Sequence, residues 1–223
     1  MSRRILTISA HPDDETLGCG GTILKHQSVG DRLFWMVVTQ PFAPSWSAEI
    51  IHRKAGEVEK AAQAYQFEEI YKLGLETTRL DTLPQVEVMA KIREVIRKVN
   101  PNWVYLVNGS DVHSDHRIVF EATMAVLKPF FKGFGVTKIL SYECLSSTEA
   151  APPLSGHTFI PNVFSDITAY FDKKIEILKL YETEIHQDPF PRGPSAIRAL
   201  ARYRGATIGV EYAEAFMLIR ELM

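Results

Sequence analysis

The stretch Arg4–Ser28, RILTISAHPDDETLGCGGTILKHQS, changes character twice in one short run. Arg4–Ala10 is apolar and rich in β-branched residues and predicts a strand. Glu15–Ser28 has the spacing of a helix. Between them lies a turn that crowds His11, Asp13, Asp14 and Glu15 together. A strand that passes through so short a turn into a helix begins a βαβ unit. The alternation continues with a strand over Asp31–Thr39, a helix over Ile50–Tyr65 and a strand over Glu69–Leu75. A helix follows over Pro84–Val99, with Val88, Ile92, Val95, Ile96 and Val99 on one stripe and Asn100-Pro101 at its end. Trp103–Val107 predicts a strand, Arg117–Leu127 a helix and Lys138–Cys144 a strand. This succession predicts an α/β fold: a Rossmann-like three-layer αβα arrangement with a mostly parallel sheet.

Beyond Ser146, Phe171, Ile175 and Leu178 recur at helical spacing within a helix predicted over Ile167–Glu184. His186–Ser195, with three prolines and a glycine, predicts a surface excursion. Helices are expected at Ala196–Arg204 and Tyr212–Glu221. The 223 residues fit one domain. Its Rossmann-like core is expected over about residues 1–145, and a C-terminal segment from about 146 is expected to contribute to the substrate site.

Hydrophobic residues make up 46% and charged residues 23%, values of an ordinary folded protein. A formal net charge of −2 supplies no global field for nucleic acid or an anionic membrane surface, so neither is expected as a partner. In MSRRILTISA the apolar run, about six residues, is too short for a signal peptide or a membrane span. A cytoplasmic location is the resulting expectation. Cys19 and Cys144 follow no metal-ligand spacing and read as reduced, buried thiols. The aromatic residues of RLFWMVV and the Pro-rich excursion could face a second copy in a homo-oligomer, a buried core or a substrate lid.

In an open parallel sheet the ligand site lies outside the carboxyl ends of the strands, where His11-Pro12-Asp13-Asp14 falls. One Asp there would serve as a helix cap. Four titratable groups within five residues repel one another unless a cation or strong donors are present, which points to a metal. Gly18, Gly20 and Gly21 lie too far into the helix for a dinucleotide loop and read as helix-to-sheet packing positions that permit close approach. The strand Trp103–Val107 leads into NGSDVHSDHR, where His113 and His116 flank Ser114-Asp115 before another helix. Two carboxyl-end loops thus deliver His11 and Asp14, and His113 and His116, to the same edge. Two imidazoles and one carboxylate with open positions suit a catalytic zinc, and equally non-heme iron(II) or another divalent ion.

AHPDDE followed by a Gly-rich helix, then HSDHR, resembles the PIG-L/LmbE family of metal-dependent N-acetylglucosamine-type deacetylases. The resemblance extends to Arg204-Gly205 and to GVEYAEAF, Gly209–Phe216. It implies a Rossmann-like domain and a zinc-dependent amide hydrolase acting on linear C–N bonds, with a small amino-sugar substrate. It further implies His11, Asp14 and His116 as metal ligands, Asp13 as general base, and His113, oriented by Asp115, as second acid/base group or oxyanion donor. HRKAGEVEKAAQAYQF resembles the family's Arg-x-x-Glu helix, but Arg53 to Glu57 is one residue longer and Lys54 could be the matching cation. Arg53 and Lys54 could bind sugar hydroxyls or form a solvated helix face. Arg192, Arg198, Arg202 and Arg204 could receive a phosphate or simply cover a helix surface.

Other classes compete. His11-x-Asp13 with a distant His fits the pattern of a facial-triad iron oxygenase, but such sites rest on a β jelly roll. A two-metal phosphoesterase needs more ligands than these motifs offer. A non-catalytic binding module leaves a base and an acid beside the ligands unexplained. A Ser or Cys hydrolase lacks a Gly-x-Ser-x-Gly elbow and a His adjacent to either Cys.

Overall fold

The structure is a computed structural model and describes residues 2–130, 134–154 and 158–223. Its first two thirds follow the predicted alternation: β1 (Arg4–Ser9), α1 (Asp14–Ser28), β2 (Arg32–Gln40), α2 (Ala48–Tyr65), β3 (Glu69–Glu76), α3 (Gln85–Val99), β4 (Trp103–Val107), α4 (Ser114–Val126) and β5 (Lys138–Tyr142). The remainder holds β6 (Val163–Asp166), α5 (Phe171–Leu178), α6 (Pro194–Ile208) and β7 (Ala213–Glu221), with short 3₁₀ turns at Leu80–Thr82 and Thr168–Tyr170. The seven strands run in the order β3-β2-β1-β4-β5-β7-β6. The first five are mutually parallel, and β7 lies antiparallel to both neighbours.

The strand order reverses between β1 and β4, so the crevice outside their carboxyl ends is the topological switch point of the sheet. β1 pairs with β4 in register from Ile5↔Trp103 to Ile8↔Leu106. The two motif loops that follow these strands are therefore neighbours. RLFWMVV forms β2, whose residues from Leu33 to Thr39 are all buried, with Trp35 stacked on Phe67. Of the three readings left open for that stretch, the buried core is the one the fold uses.

Four elements depart from the expectations. Tyr212–Glu221 predicts a helix, yet Ala213–Glu221 is strand β7, inserted between β5 and β6. The residues Ala213, Glu214, Ala215 and Phe216 are all buried, because the strand is covered on both faces and paired on both edges. Period-two alternation is erased there, and helix-forming Ala, Glu, Met and Leu outweigh a strand signal that only tertiary context supplies. Strand β6 was not foreseen, since its four residues are half-exposed at the sheet edge. The helix expected over Ile167–Glu184 is shorter and stops at Leu178. By contrast α4 starts at Ser114, three residues before its predicted Arg117, which draws Asp115 and His116 into its first turn.

Helix α1 is broken at Cys19, whose φ of −142° is not helical. Glu214 from β7 fills the break: its carboxylate accepts the Gly21 amide at 2.8 Å, and the Thr22 amide and hydroxyl at 2.7 and 2.6 Å. Lys174 from α5 donates to the Leu17 carbonyl at 2.9 Å and to Glu214 at 2.8 Å. An ion pair thus satisfies both half-helix ends that the break exposes. The close packing expected at the glycines is present. A Cβ on Gly18 would lie 2.8 Å from the Glu143 carbonyl, and one on Gly21 2.8 Å from Ile167. Gly20 lies against Tyr65 of α2, so the partners are a strand end, a helix and a loop, not the sheet face alone.

Candidate metal centre

The turn after β1 sets the first half of the site. Asp14 opens α1, and its Oδ2 accepts the His11 backbone N–H at 2.8 Å, leaving Oδ1 free to face α4. Asp13, immediately before, has φ 102°, a left-handed conformation rare for a residue with a side chain. That reversal sends two adjacent carboxylates in different directions, strain of the kind found at functional sites. Glu15, fully buried, accepts the Asp13 amide at 3.2 Å and the Tyr181 and Thr16 hydroxyls, each at 2.6 Å, so it braces the turn from below.

The first turn of α4 sets the second half. His116 Nε2 lies 3.3 Å from Asp14 Oδ1 and 3.3 Å from His11 Nδ1, and His11 Nδ1 lies 3.7 Å from Asp14 Oδ2. A tetrahedral ion with ligand bonds near 2.1 Å has ligand-to-ligand edges of about 3.4 Å. The spacing therefore fits one cation held by His11, Asp14 and His116. The rings' other nitrogens are already engaged: His116 Nδ1 with Asp111 Oδ2 at 2.7 Å, and His11 Nε2 with Asp115 Oδ2 at 3.0 Å. Both are carboxylate–imidazole pairs of the type that orients metal-binding histidines. His11, His113 and Asp115 form an overlapping acidic and imidazole group. It uses the His11 nitrogen already bonded to Asp115, whose Oδ2 also accepts the Thr78 amide at 2.7 Å.

The site's titratable groups are strongly perturbed by burial and by one another. Burial opposes a proton on His116, but Asp14 and Asp111 outweigh it and push its pKa up to about 10. Burial likewise opposes ionisation of Asp14, yet His116 and His11 hold its carboxyl well below the usual range. Asp13 goes the other way: burial and the neighbouring Asp14 raise it to about 8, against the pull of Arg192. The Cys144 thiol, pushed up by burial, sits 3.7 Å from Asp14 Oδ1 as a neutral neighbour. Cys19 is equally buried, and both cysteines are free.

His113 caps α4. Its Nδ1 accepts the Asp115 backbone N–H at 3.2 Å, which places the ring hydrogen of the neutral form on Nε2. Burial, together with His11 and His116, lowers its pKa to about 4, so it is a neutral donor at pH 7. Asp115 therefore orients His113 through its backbone amide, while its carboxylate serves His11.

His11, Asp13, Asp14, His113 and His116 line one cavity of about 300 Å³, shared with Trp46, Lys54, Glu184 and Arg192. Lys54 lies on its wall in an ion pair with Glu184. Arg53 does not line it and pairs with Glu182 at 2.7 Å. Of the four C-terminal arginines only Arg192 reaches this cavity, donating to Asp13 at 2.9 Å. Arg198 bonds the Tyr212 hydroxyl, Arg202 is exposed beside Glu211, and Arg204 forms a two-bonded pair with Glu143. Sequence reading missed Asp111, Glu184 and the Arg192 contact. Asp111 was visible inside NGSDVHSDHR as a carboxylate five residues before His116, one helical turn and a loop away.

The chain is similar to several known proteins. Diacetylchitobiose deacetylase of Thermococcus kodakarensis is 26% identical over 226 residues, covering 97% of this chain and 83% of that protein. Among solved structures, N,N'-diacetylchitobiose deacetylase from Pyrococcus horikoshii superposes with a TM-score of 0.80 at 24% identity, covering 98% of this chain and 84% of the other. GalB, the 4-carboxy-2-hydroxymuconate hydratase of Pseudomonas putida KT2440, gives 0.76 at 17% identity, covering 100% and 98%, so the fold alone does not specify the reaction. The family model described as PIG-L: GlcNAc-PI de-N-acetylase matches residues 6–127, more than half of the chain and both motif loops, and the chain belongs to that family.

Proposed function

We propose that this chain is a metal-dependent hydrolase that removes the N-acetyl group from an N-acetylglucosamine-type amino sugar or glycoconjugate. The observation that carries this reading is the convergence, in one cavity, of a three-ligand cation site with a carboxylate and a neutral imidazole donor. His11, Asp14 and His116 would hold the ion, zinc on this reading, a set of two imidazoles and one carboxylate that serves iron(II) equally. When bound, such an ion lowers the pKa of water and polarises a carbonyl oxygen.

The protein groups supply the rest. A positive charge at the triad draws the raised Asp13 carboxyl back toward its ionised form, so that it can accept the proton of the attacking water. The Nε2–H of His113 hydrogen-bonds to the amide oxygen as that atom gains charge. As the C–N bond breaks, the proton taken by Asp13 passes to the leaving nitrogen, giving acetate and a free amine. The cavity has room for about one pyranose ring. Its two cations, Lys54 and Arg192, are matched by Glu184 and Asp13, which suits an uncharged sugar.

The test is acetate release from a panel of N-acetylglucosamine derivatives: the monosaccharide, its β-linked dimer, and malate- and inositol-linked forms. Release by wild type, abolished in Asp13→Ala protein that retains its metal, is the expected result. No release from any member, with hydration of an unsaturated acid instead, would replace this reading with that of a hydratase.

A further inference from the structure

Arg192 belongs to none of the motifs that define the site. It lies in the Pro-rich segment between α5 and α6, and its guanidinium reaches the cavity wall between two carboxylates. One nitrogen, Nη1, donates both to Asp13 Oδ2 at 2.9 Å and to Glu184 Oε2 at 2.7 Å. Among the described residues no other side chain donates a hydrogen bond to the Asp13 carboxylate. The left-handed backbone at Asp13 turns its side chain toward the cavity wall, where Arg192 is the contact that holds the carboxylate. Glu184 is in turn held by Lys54 of α2 on its other side. The chain of contacts therefore runs from α2 through Glu184 and Arg192 to Asp13. Arg192 Nε is buried without a partner among the described residues, an unsatisfied donor of the kind that persists where placement of the group matters more than its own satisfaction.

The geometry points to Arg192 as a positioning residue for the reaction proposed above: it fixes Oδ2 of Asp13 and leaves Oδ1 as the oxygen that accepts a proton. The inference rests on that reading of Asp13 as the base. Glu184, braced by Lys54, keeps the guanidinium from swinging out, and the same contact seats the Pro-rich segment against the cavity.

The test uses metal-loaded protein and the derivative panel. Arg192→Ala is expected to lower kcat by about 10- to 100-fold, the scale of a misplaced catalytic group, with KM changed less than about threefold. Added guanidinium should restore part of the lost kcat in this variant and none in wild type. An unchanged kcat, a loss confined to KM, or no rescue would overturn the inference. If wild type itself releases no acetate, the functional reading fails separately. The contact is then decided by denaturant unfolding of Asp13→Asn, Arg192→Ala and the double variant. Effects on the unfolding equilibrium constant that fall short of multiplying by about fivefold or more support Arg192 as the partner that fixes Asp13. Strict multiplication overturns it.

Discussion

Asp13 and Asp14 are neighbours of one chemical type, yet the backbone assigns them opposite surroundings. Asp14 sits at the helix start against two imidazoles, which hold it ionised despite burial, whereas burial beside Asp14 raises Asp13 to about 8. Two carboxyls whose environments separate them this far are suited to two tasks, ligand and base. Asp14→Ala should lose bound metal, while Asp13→Ala should keep it and lose about 10²- to 10⁴-fold in kcat, the usual share of a general base. Metal content by elemental analysis checks this, and metal loss confined to Asp13→Ala would transfer the ligand role and revive the His-x-Asp oxygenase pattern. Asp111 acts one bond further out, by holding Nδ1 of His116. Asp111→Asn should weaken metal affinity about 10- to 100-fold without removing a ligand. A competition titration against a chelator measures it, and an unchanged affinity would reduce Asp111 to a loop contact with Asn108.

At the level of elements, α1 matters because it carries Asp14 on its first turn and a break at Cys19 four residues of helix later. The Glu214–Lys174 pair in that break ties α1 to β7 and α5, so the C-terminal third of the chain holds the N-terminal motif in place. Both partners are almost wholly buried. Glu214→Ala should therefore cost about 3–5 kcal/mol, the scale of an uncompensated buried charge. Urea unfolding measures it, and a loss below about 1 kcal/mol would mean that water replaces the carboxylate. This tie also marks the limit of what could be read beforehand. The helices between strands β1 and β5 were legible from their own period, and β1, β2, β4 and β5 from apolar runs rich in β-branched and aromatic residues bounded by turn signals. The identity of β7 was not, since Glu214 is buried for a partner on α1 nearly two hundred residues away, and nothing near Ala213–Glu221 encodes that. Within the site, His11, Asp13, Asp14, His113 and His116 stood out because they cluster in sequence. Arg192 and Glu184 did not, because only the folded chain brings them to Asp13.

For the whole molecule, the switch point between β1 and β4 concentrates His11, Asp13, Asp14, Asp111, Asp115 and His116 in one crevice, and the metal-free fold must carry that unbalanced charge. His116 takes up part of it by binding a proton: Asp14 and Asp111 raise its pKa to about 10 against burial. A histidine raised in the folded state stabilises it fully below its unfolded pKa, near 6.5, and this contribution disappears as pH rises through about 10. Metal-free protein should therefore lose stability steadily from pH 6.5 upward. With a cation in the proton's place, loading at pH 8 should release close to one proton from His116 and about half a proton from Asp13 per ion. A ligand present at about a thousandfold over its Kd adds about 4 kcal/mol, worth roughly 8–16 °C in Tm for a chain of this size. The Tm gap between loaded and chelator-treated protein should thus widen between pH 6.5 and 10, and narrow below 6.5 as protons compete for His116. Differential scanning calorimetry across this range measures the gap. A gap independent of pH would mean that His116 carries no proton in the metal-free fold, and that the crevice balances its carboxylates by some group other than the proposed ligand.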